Sequence, residues 1–256
     1  MQSEQRFVLI RMAADLLRQA KFAIALTGAG SSTPSGIPDF RSSGSGLWTR
    51  YLPTEVATLS AFNRHPERFF EWLRPLASHM LSAQPNPAHL SLAALEQRQI
   101  IKAVITQNID GLHRRAGSQN VMPVHGTLET LTCIHCYRQV SAEKYTRSYI
   151  EQGIVPRCEV CGDYLKPDVV LFEEQLPAKI WLQARQATDS CDLMLIAGTS
   201  LLVSPVAQLP ERAWGHGARI IIVNQTPTYM DEHADIVLRG DVAEIIPAIA
   251  SEVLDD

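Results

Sequence analysis

Long apolar runs are missing from this chain. None approaches the roughly 18 to 20 residues that a membrane-spanning helix needs, so the sequence predicts a protein that does not cross a membrane. An excess of positive charge is missing too. Lys and Arg total 23 against 27 Asp and Glu, a formal net charge of −4, the wrong balance for a protein that holds nucleic acid mainly through its phosphates. Cysteine is sparse: the five present stand at positions 133, 136, 158, 161 and 191, too few and too clustered for a secreted disulfide scaffold. The start of the chain does not read as a secretory leader either. Residues 5 to 20 set Arg6, Arg11, Asp15 and Arg18 among Val8, Leu9, Met12, Ala13, Leu16 and Leu17, the period of an amphipathic surface helix. Together these features predict a cytoplasmic protein.

What is present describes a folded globular chain. Of its 256 residues 46% are hydrophobic and 20% charged, with 14 Gly and 15 Pro, which excludes collagen-like, low-complexity and largely disordered readings. The length allows one large domain or two modest ones. Short apolar runs rich in β-branched residues, at Phe22 to Leu26, Ile100 to Ile105, Leu193 to Ala197, Arg219 to Val223 and Ile236 to Leu238, read as strands buried on both faces. Helical patterns lie between them, at about 66 to 82, 87 to 98, 178 to 190, 205 to 216 and 241 to 253, several with N-terminal signals such as Ser204-Pro205 and Asp241. That alternation predicts an α/β fold with a doubly wound, parallel, Rossmann-like sheet. Residues 42 to 85 and 133 to 166 break it and read as insertions that together form a smaller module. No internal repeat is visible.

The strongest chemical signal is Cys133-x-x-Cys136, a gap of 21 residues, then Cys158-x-x-Cys161. Two such knuckles present four thiolates to one ion, which favours tetrahedral Zn2+; the gap is one residue beyond the usual zinc-ribbon range of about 15 to 20. With every position filled by sulfur no place remains for a water, so the zinc is expected to be structural and catalysis to lie elsewhere. Cys191 reads as a buried apolar residue. The second signal follows the first strand, in Gly28-Ala29-Gly30-Ser31-Ser32-Thr33-Pro34. Gly28 and Gly30 would let the backbone approach a phosphate, but Thr33 stands where a dinucleotide fingerprint wants a third Gly, so an ordinary Rossmann dehydrogenase fits poorly. A third cluster, Gln107-Asn108-Ile109-Asp110, follows the strand ending at Thr106, at the carboxyl end where ligands bind in open α/β sheets.

The segments GAGSSTPSGIPDFR at 28 to 41, TQNIDGLH at 106 to 113, HG at 125 to 126, the paired CxxC, KPDVVLFEE at 166 to 174, GTSL at 198 to 201 and IVN at 222 to 224 stand in the order of one family. The chain resembles the sirtuins, NAD-dependent protein lysine deacylases, from Gly28 to Val242. The resemblance implies a single catalytic unit, with an NAD-binding large domain at approximately 1–41, 86–131 and 168–256 and a small module at approximately 42–85 (helical) and 132–167 (zinc ribbon).

By that resemblance Gly28, Ala29, Gly30 and Ser31 lie along the NAD phosphates and ribose, and Asp39, Phe40 and Arg41 belong to the loop over the cofactor. Gln107 and Asn108 bind the nicotinamide ribose region, and Ile109 and Asp110 the carboxamide. Gly198, Thr199 and Ser200 meet phosphate and ribose, Asn224 the adenosine ribose, and Asp241 with Val242 the adenine side. The resemblance makes His125 and Asn108 the catalytic residues, His125 matching the family's general base, and an imidazole of pKa near 6.5 suits proton transfer at neutral pH. The implied reaction consumes NAD. The acyl-lysine oxygen attacks the ribose carbon bearing nicotinamide, His125 helps deprotonate a ribose hydroxyl, and the acyl group ends on ADP-ribose. Val169 to Glu174 would supply the edge to which acetylated or acylated protein substrate adds as a strand, with Val169 and Phe172 lining the acyl tunnel.

Two positions depart from the family's pattern. Glu173 stands where a Gly is usual, which puts a side chain where substrate main chain passes, and Ser31 replaces an Ile. The branch that removes anionic acyl groups carries Tyr and Arg three apart in the helical insertion; alignment through Pro66-Glu67 and Pro85-Asn86 puts Leu73 and Leu76 there, which predicts acetyl or a longer apolar acyl group over succinyl. The nearest rival is a protein ADP-ribosyltransferase on the same scaffold. A zinc-ribbon binding module for nucleic acid or a partner is a third reading, against which the acidic total speaks.

Overall fold

The computed structural model describes residues 2–39 and 52–255. In chain order the helices are α1 (Gln2–Gln19), α2 (Pro53–Val56), α3 (Leu59–Arg64), α4 (Pro66–Ser82), α5 (Pro87–Gln97), α6 (Leu112–Arg115), α7 (Glu143–Gln152), α8 (Ala178–Ser190), α9 (Leu209–Gly215) and α10 (Val242–Leu254). The strands are β1 (Ala23–Thr27), β2 (Ile101–Thr106), β3 (Val121–Pro123), β4 (Gly126–Cys133), β5 (Gln139–Ser141), β6 (Leu165–Val169), β7 (Leu193–Ala197), β8 (Arg219–Asn224) and β9 (Ile236–Arg239).

Six strands form one sheet in the order β3-β2-β1-β7-β8-β9, and every neighbouring pair in it is parallel. The runs read as doubly buried strands behave as such: β1 and β7 are buried at every residue. Alternate side chains serve opposite faces. Ala23 and Ala25 join the core under α1, α5 and α10 with Leu17, Leu92, Leu95 and Ile249, while Ile24 and Leu26 join the core under α8 and α9 with Ala184, Leu209 and Ala213. The chain winds outward from β1 to β3, then returns beside β1 as β7. The strand order therefore reverses between β1 and β7, where a crevice opens in such sheets.

The described parts of the two segments that interrupt the alternation pack elsewhere. Antiparallel β5-β4-β6 forms a three-stranded sheet, and α4 builds an aromatic core in which Phe62, Phe69 and Phe70 meet edge to face. Val169 and Leu171 enter that same core. Among the described residues no helix is long and apolar enough to cross a membrane.

Candidate functional site

The carboxyl ends of β1 and β7 carry the glycine loops, and the two loops touch main chain to main chain. Gly30 donates its N–H to Gly198 O at 2.8 Å and Gly28 donates to Ala197 O at 3.2 Å. A Cβ on Gly198, whose φ is +61°, would lie 2.3 Å from Ser31 N, and one on Gly30 would lie 2.9 Å from Gly198 O. The first thing these glycines admit is the neighbouring loop, ahead of any phosphate. Ser31 turns inward, donating to Gly28 O at 2.7 Å. The replacement for Ile is thus a buried hydrogen-bonding group.

Asn108, at 9% exposure, ties the end of β2 to the same loop. Its Nδ2 lies 3.0 Å from Gly28 O, 3.1 Å from Ser31 Oγ and 3.0 Å from Ser32 Oγ. Gln107 reaches the other loop, with Nε2 donating to Thr199 Oγ1 at 2.9 Å. Asp110 accepts from Ser32 Oγ at 2.7 Å and from Leu112 N at 2.9 Å. Three strand ends are thereby cross-linked by side chains before any ligand arrives.

His125 occupies the two-residue link, Val124-His125, between β3 of the large sheet and β4 of the small one. Val124 N donates to Thr106 O at 3.0 Å, and His125 O accepts from Val170 N at 2.8 Å. Gly126 follows with φ +83°, and a Cβ there would lie 1.9 Å from Asp168 O, so only glycine lets β6 come alongside. The imidazole Nδ1 is 3.1 Å from Gln107 O. A carbonyl can only accept, so Nδ1 carries the hydrogen and the basic lone pair is on Nε2.

Two cavities meet at this residue. The polar one, about 580 Å³, is lined by Ala29, Gly30, Thr33, Asp39, Gly198, Thr199, Ser200, Asn224 and Val242, and further by Leu202 and Gln225 to Tyr229. The other, about 720 Å³, runs between α4, α8 and the segment after β6, along Phe69, Trp72, Leu73, Leu76, Met80, Val169, Phe172, Trp181 and Leu182, with Ile109, Asp110, Glu173 and Glu174 also on its wall. Ala29, Gln107, Asn108, His125 and Val203 line both. Of the sequence-predicted residues, Gly28, Ser31 and Asp241 line neither cavity; Asp241 caps α10 through Ala243 N at 2.8 Å. Phe40 and Arg41 lie outside the described residues. The sequence reading had no sign of Trp72, Trp181 or Leu182, because a helix face toward a cavity has the same periodicity as one toward a core.

Among the described residues, hydroxyls, amides and strand-end N–H groups surround the polar cavity, donors that suit the phosphates and riboses of a dinucleotide. The zinc reading has a direct test in the thiols. Sulfurs about 2.3 Å from a tetrahedral ion stand about 3.8 Å apart. Cys133 Sγ lies 3.4 Å from Cys161 Sγ and Cys136 Sγ 3.6 Å from Cys158 Sγ, with all four sulfurs within 4.8 Å of one another.

Close to Thr27 at the end of β1 sit two buried imidazoles, His89 and His113, their ring centroids 4.7 Å apart. His113 Nε2 is 2.9 Å from Thr27 Oγ1. Burial pushes the His89 pKa down to about 4, against the pull of Asp110, and burial with the neighbouring His89 pushes that of His113 down to about 3. An unfolded histidine takes its proton near pH 6.5, so below that pH the unfolded chain binds more protons than the folded one. Stability contributed by the neutral pair is complete above about pH 6.5 and falls as the pH drops toward 4, by up to about 1.4 kcal/mol per pH unit for each histidine. Urea midpoints should accordingly decline from pH 7 to pH 5, and a His89→Gln variant should show a shallower decline. A flat midpoint over that interval in the unsubstituted protein would contradict it.

Comparison with known proteins finds the Sir2 family matching residues 28–205. The NAD-dependent protein deacylase 2 of Archaeoglobus fulgidus is 44% identical over 95% of this chain and 96% of its own length. A solved structure described as "Structural Basis for the Mechanism and Regulation of Sir2 Enzymes" superposes with a TM-score of 0.90 at 44% identity, covering 95% of this chain and 97% of that one. Another, "The structure of Sir2Af2 bound to a myristoylated histone peptide", gives 0.82 at 38% identity, with 96% of each chain covered.

Proposed function

The chain belongs to the Sir2 family, and from that premise we propose that it is an NAD-dependent protein lysine deacylase, moving the acyl group from lysine to ADP-ribose with release of nicotinamide. The observation that carries this reading is the position of His125 on the wall shared by a polar and an apolar cavity, with its Nδ1–H committed to Gln107 O. Bound NAD supplies an electrophilic ribose carbon with a good leaving group. The protein's own groups do the rest. Gln107 O fixes the tautomer, so His125 Nε2 is the atom that takes a proton from a ribose hydroxyl. The glycine loops, with Thr199, Ser200 and Asn224, hold the dinucleotide. The apolar stretch of the larger cavity along Trp72, Leu73, Leu76 and Met80 accepts a neutral acyl-lysine and offers a lysine ammonium no partner. Residues 169 to 174 offer the edge for the peptide, and the four cysteines hold one structural zinc. The domain division expected from the sequence and a cytoplasmic location, where thiols stay available to a metal, complete the proposal.

Incubating the protein with an acetyl-lysine peptide, with and without NAD, tests the reading. Acyl-ADP-ribose as the product supports it, whereas ADP-ribosylated protein without deacylation replaces it by the transferase reading.

The acyl preference follows from the walls. Leu73 and Leu76 are 2% and 4% exposed and stand in the larger cavity with no Lys or Arg besides Arg185 among its described lining residues. Arg185 is itself solvent-exposed. On matched peptides, a longer apolar acyl group should lower KM relative to acetyl, by up to about 0.8 kcal/mol per buried CH2. Succinyl should be the slowest of the three. Fastest turnover of succinyl would overturn the assignment.

A further inference from the structure

Glu173 has a left-handed backbone, φ +75°, a conformation that side chains other than those of Gly, Asn and Asp seldom adopt. The strain comes with a specific contact: the carboxylate accepts a hydrogen bond from Ser60 N at 2.9 Å. Its neighbours are bound to the same place. Phe172 N donates to Ala57 O at 2.9 Å, and Leu59 N donates to Phe172 O at 3.0 Å, so residues 58 and 172 pair as a short parallel bridge. With Thr58 Oγ1 accepting from Ala61 N at 3.0 Å, the first three N–H groups of α3 are satisfied, two of them by the segment after β6. Glu174 faces the other way. Its carboxylate takes Leu171 N at 2.8 Å and pairs with Lys166 Nζ at 2.9 Å. Two consecutive glutamates therefore pin one segment to two different elements, the helical insertion and β6.

The geometry points to Glu173 as a positioning residue. By binding Ser60 N at the rim of the apolar cavity, its carboxylate fixes the main chain of residues 171 to 174 where an acyl-peptide docks. This rests on the deacylase reading. Phe172, 42% exposed, and Glu173 both line that cavity, so a segment released from α3 would present a loose edge to the peptide and leave the dinucleotide loops untouched. The side chain that stands where glycine is usual is turned to α3 and serves as a clasp.

Three variants separate the carboxylate from the backbone. Glu173→Gln keeps an acceptor, Glu173→Ala keeps a side chain at positive φ without one, and Glu173→Gly removes both the acceptor and the strain. Steady-state kinetics with an acetyl-lysine peptide and NAD should show the peptide KM raised about fivefold or more in the Ala and Gly variants. The Gln variant should stay within about twofold of the unsubstituted protein, and kcat and the KM for NAD should be unchanged in all three. Melting temperature should be equal or higher in the Gly variant despite its weaker peptide binding, which a merely structural role would not give. A raised peptide KM in the Gly variant alone, an equal loss in Gln and Ala, or a parallel rise in the KM for NAD would each overturn the assignment. Absence of NAD-dependent deacylation in the unsubstituted protein would instead remove the deacylase reading beneath it; the same variants' affinities for the peptide, read by fluorescence anisotropy, would still decide the clasp.

Discussion

Replacing His125 by Ala is expected to lower kcat/KM for an acetyl-lysine peptide by about 10²- to 10⁴-fold, the range contributed by a positioned general base, with zinc content and dinucleotide affinity retained. The separation follows from where the residue sits. Its main chain is held by Val170 N and by the pairing of Gly126 with Val169, neither of which needs the imidazole. The imidazole Nδ1 donates to Gln107 O. A His125→Asn variant that can still donate to that carbonyl, yet has no basic lone pair at Nε2, should lose as much activity as Ala while melting like the unsubstituted protein. If either variant keeps activity within about tenfold, the base is another group and the proton transfer has been misassigned.

Removing the zinc should have a comparably large effect by a different route. The apolar cluster of the small sheet consists of Leu131, Cys133, Ala142, Cys158 and Leu165, and two of the five are thiols of the proposed zinc site. So small a core cannot hold three strands alone, and structural zinc is worth about 10 kcal/mol or more to comparable modules. Strand β4 runs from Cys133 back to Gly126, one residue from His125. Loss of metal should therefore reach the base along a single strand. Treatment with a strong chelator, or a Cys133→Ser substitution, is expected to release one equivalent of zinc, make residues 129 to 166 sensitive to protease and abolish deacylation. The parallel sheet, with its own two cores, should keep its far-ultraviolet signal. An apo protein with full activity and an unchanged digestion pattern would show that the metal does not hold the site.

The parts of this fold that could be read in advance are those where one physical rule decides. Five strands of the parallel sheet were legible because burial on both faces forces continuous β-branched runs. The sixth, Val121–Pro123, was not, being three residues long and ending in a proline that only an edge strand tolerates. The pattern expected at 205 to 216 divides into a short turn of helix at Val206–Gln208 and α9 at Leu209–Gly215. The knuckles were legible from spacing alone, since thiols in that pattern have few other uses. His125 was not; one histidine before a glycine has no local signature, and its selection came from resemblance. The long-range terms were least legible. Gly198 meets Ser31 and Gly30, and Glu173 meets Ser60, more than one hundred residues away; no window of sequence contains both partners.

The five residues common to both chambers form a partition that the two share. A molecule tethering a nucleotide fragment to a fatty amide across that partition would bring its second half in at the high effective concentration of a short linker. Its affinity would then exceed what either half achieves separately. Substitutions on the partition, Val203 included, would weaken such a bridge from both ends at once.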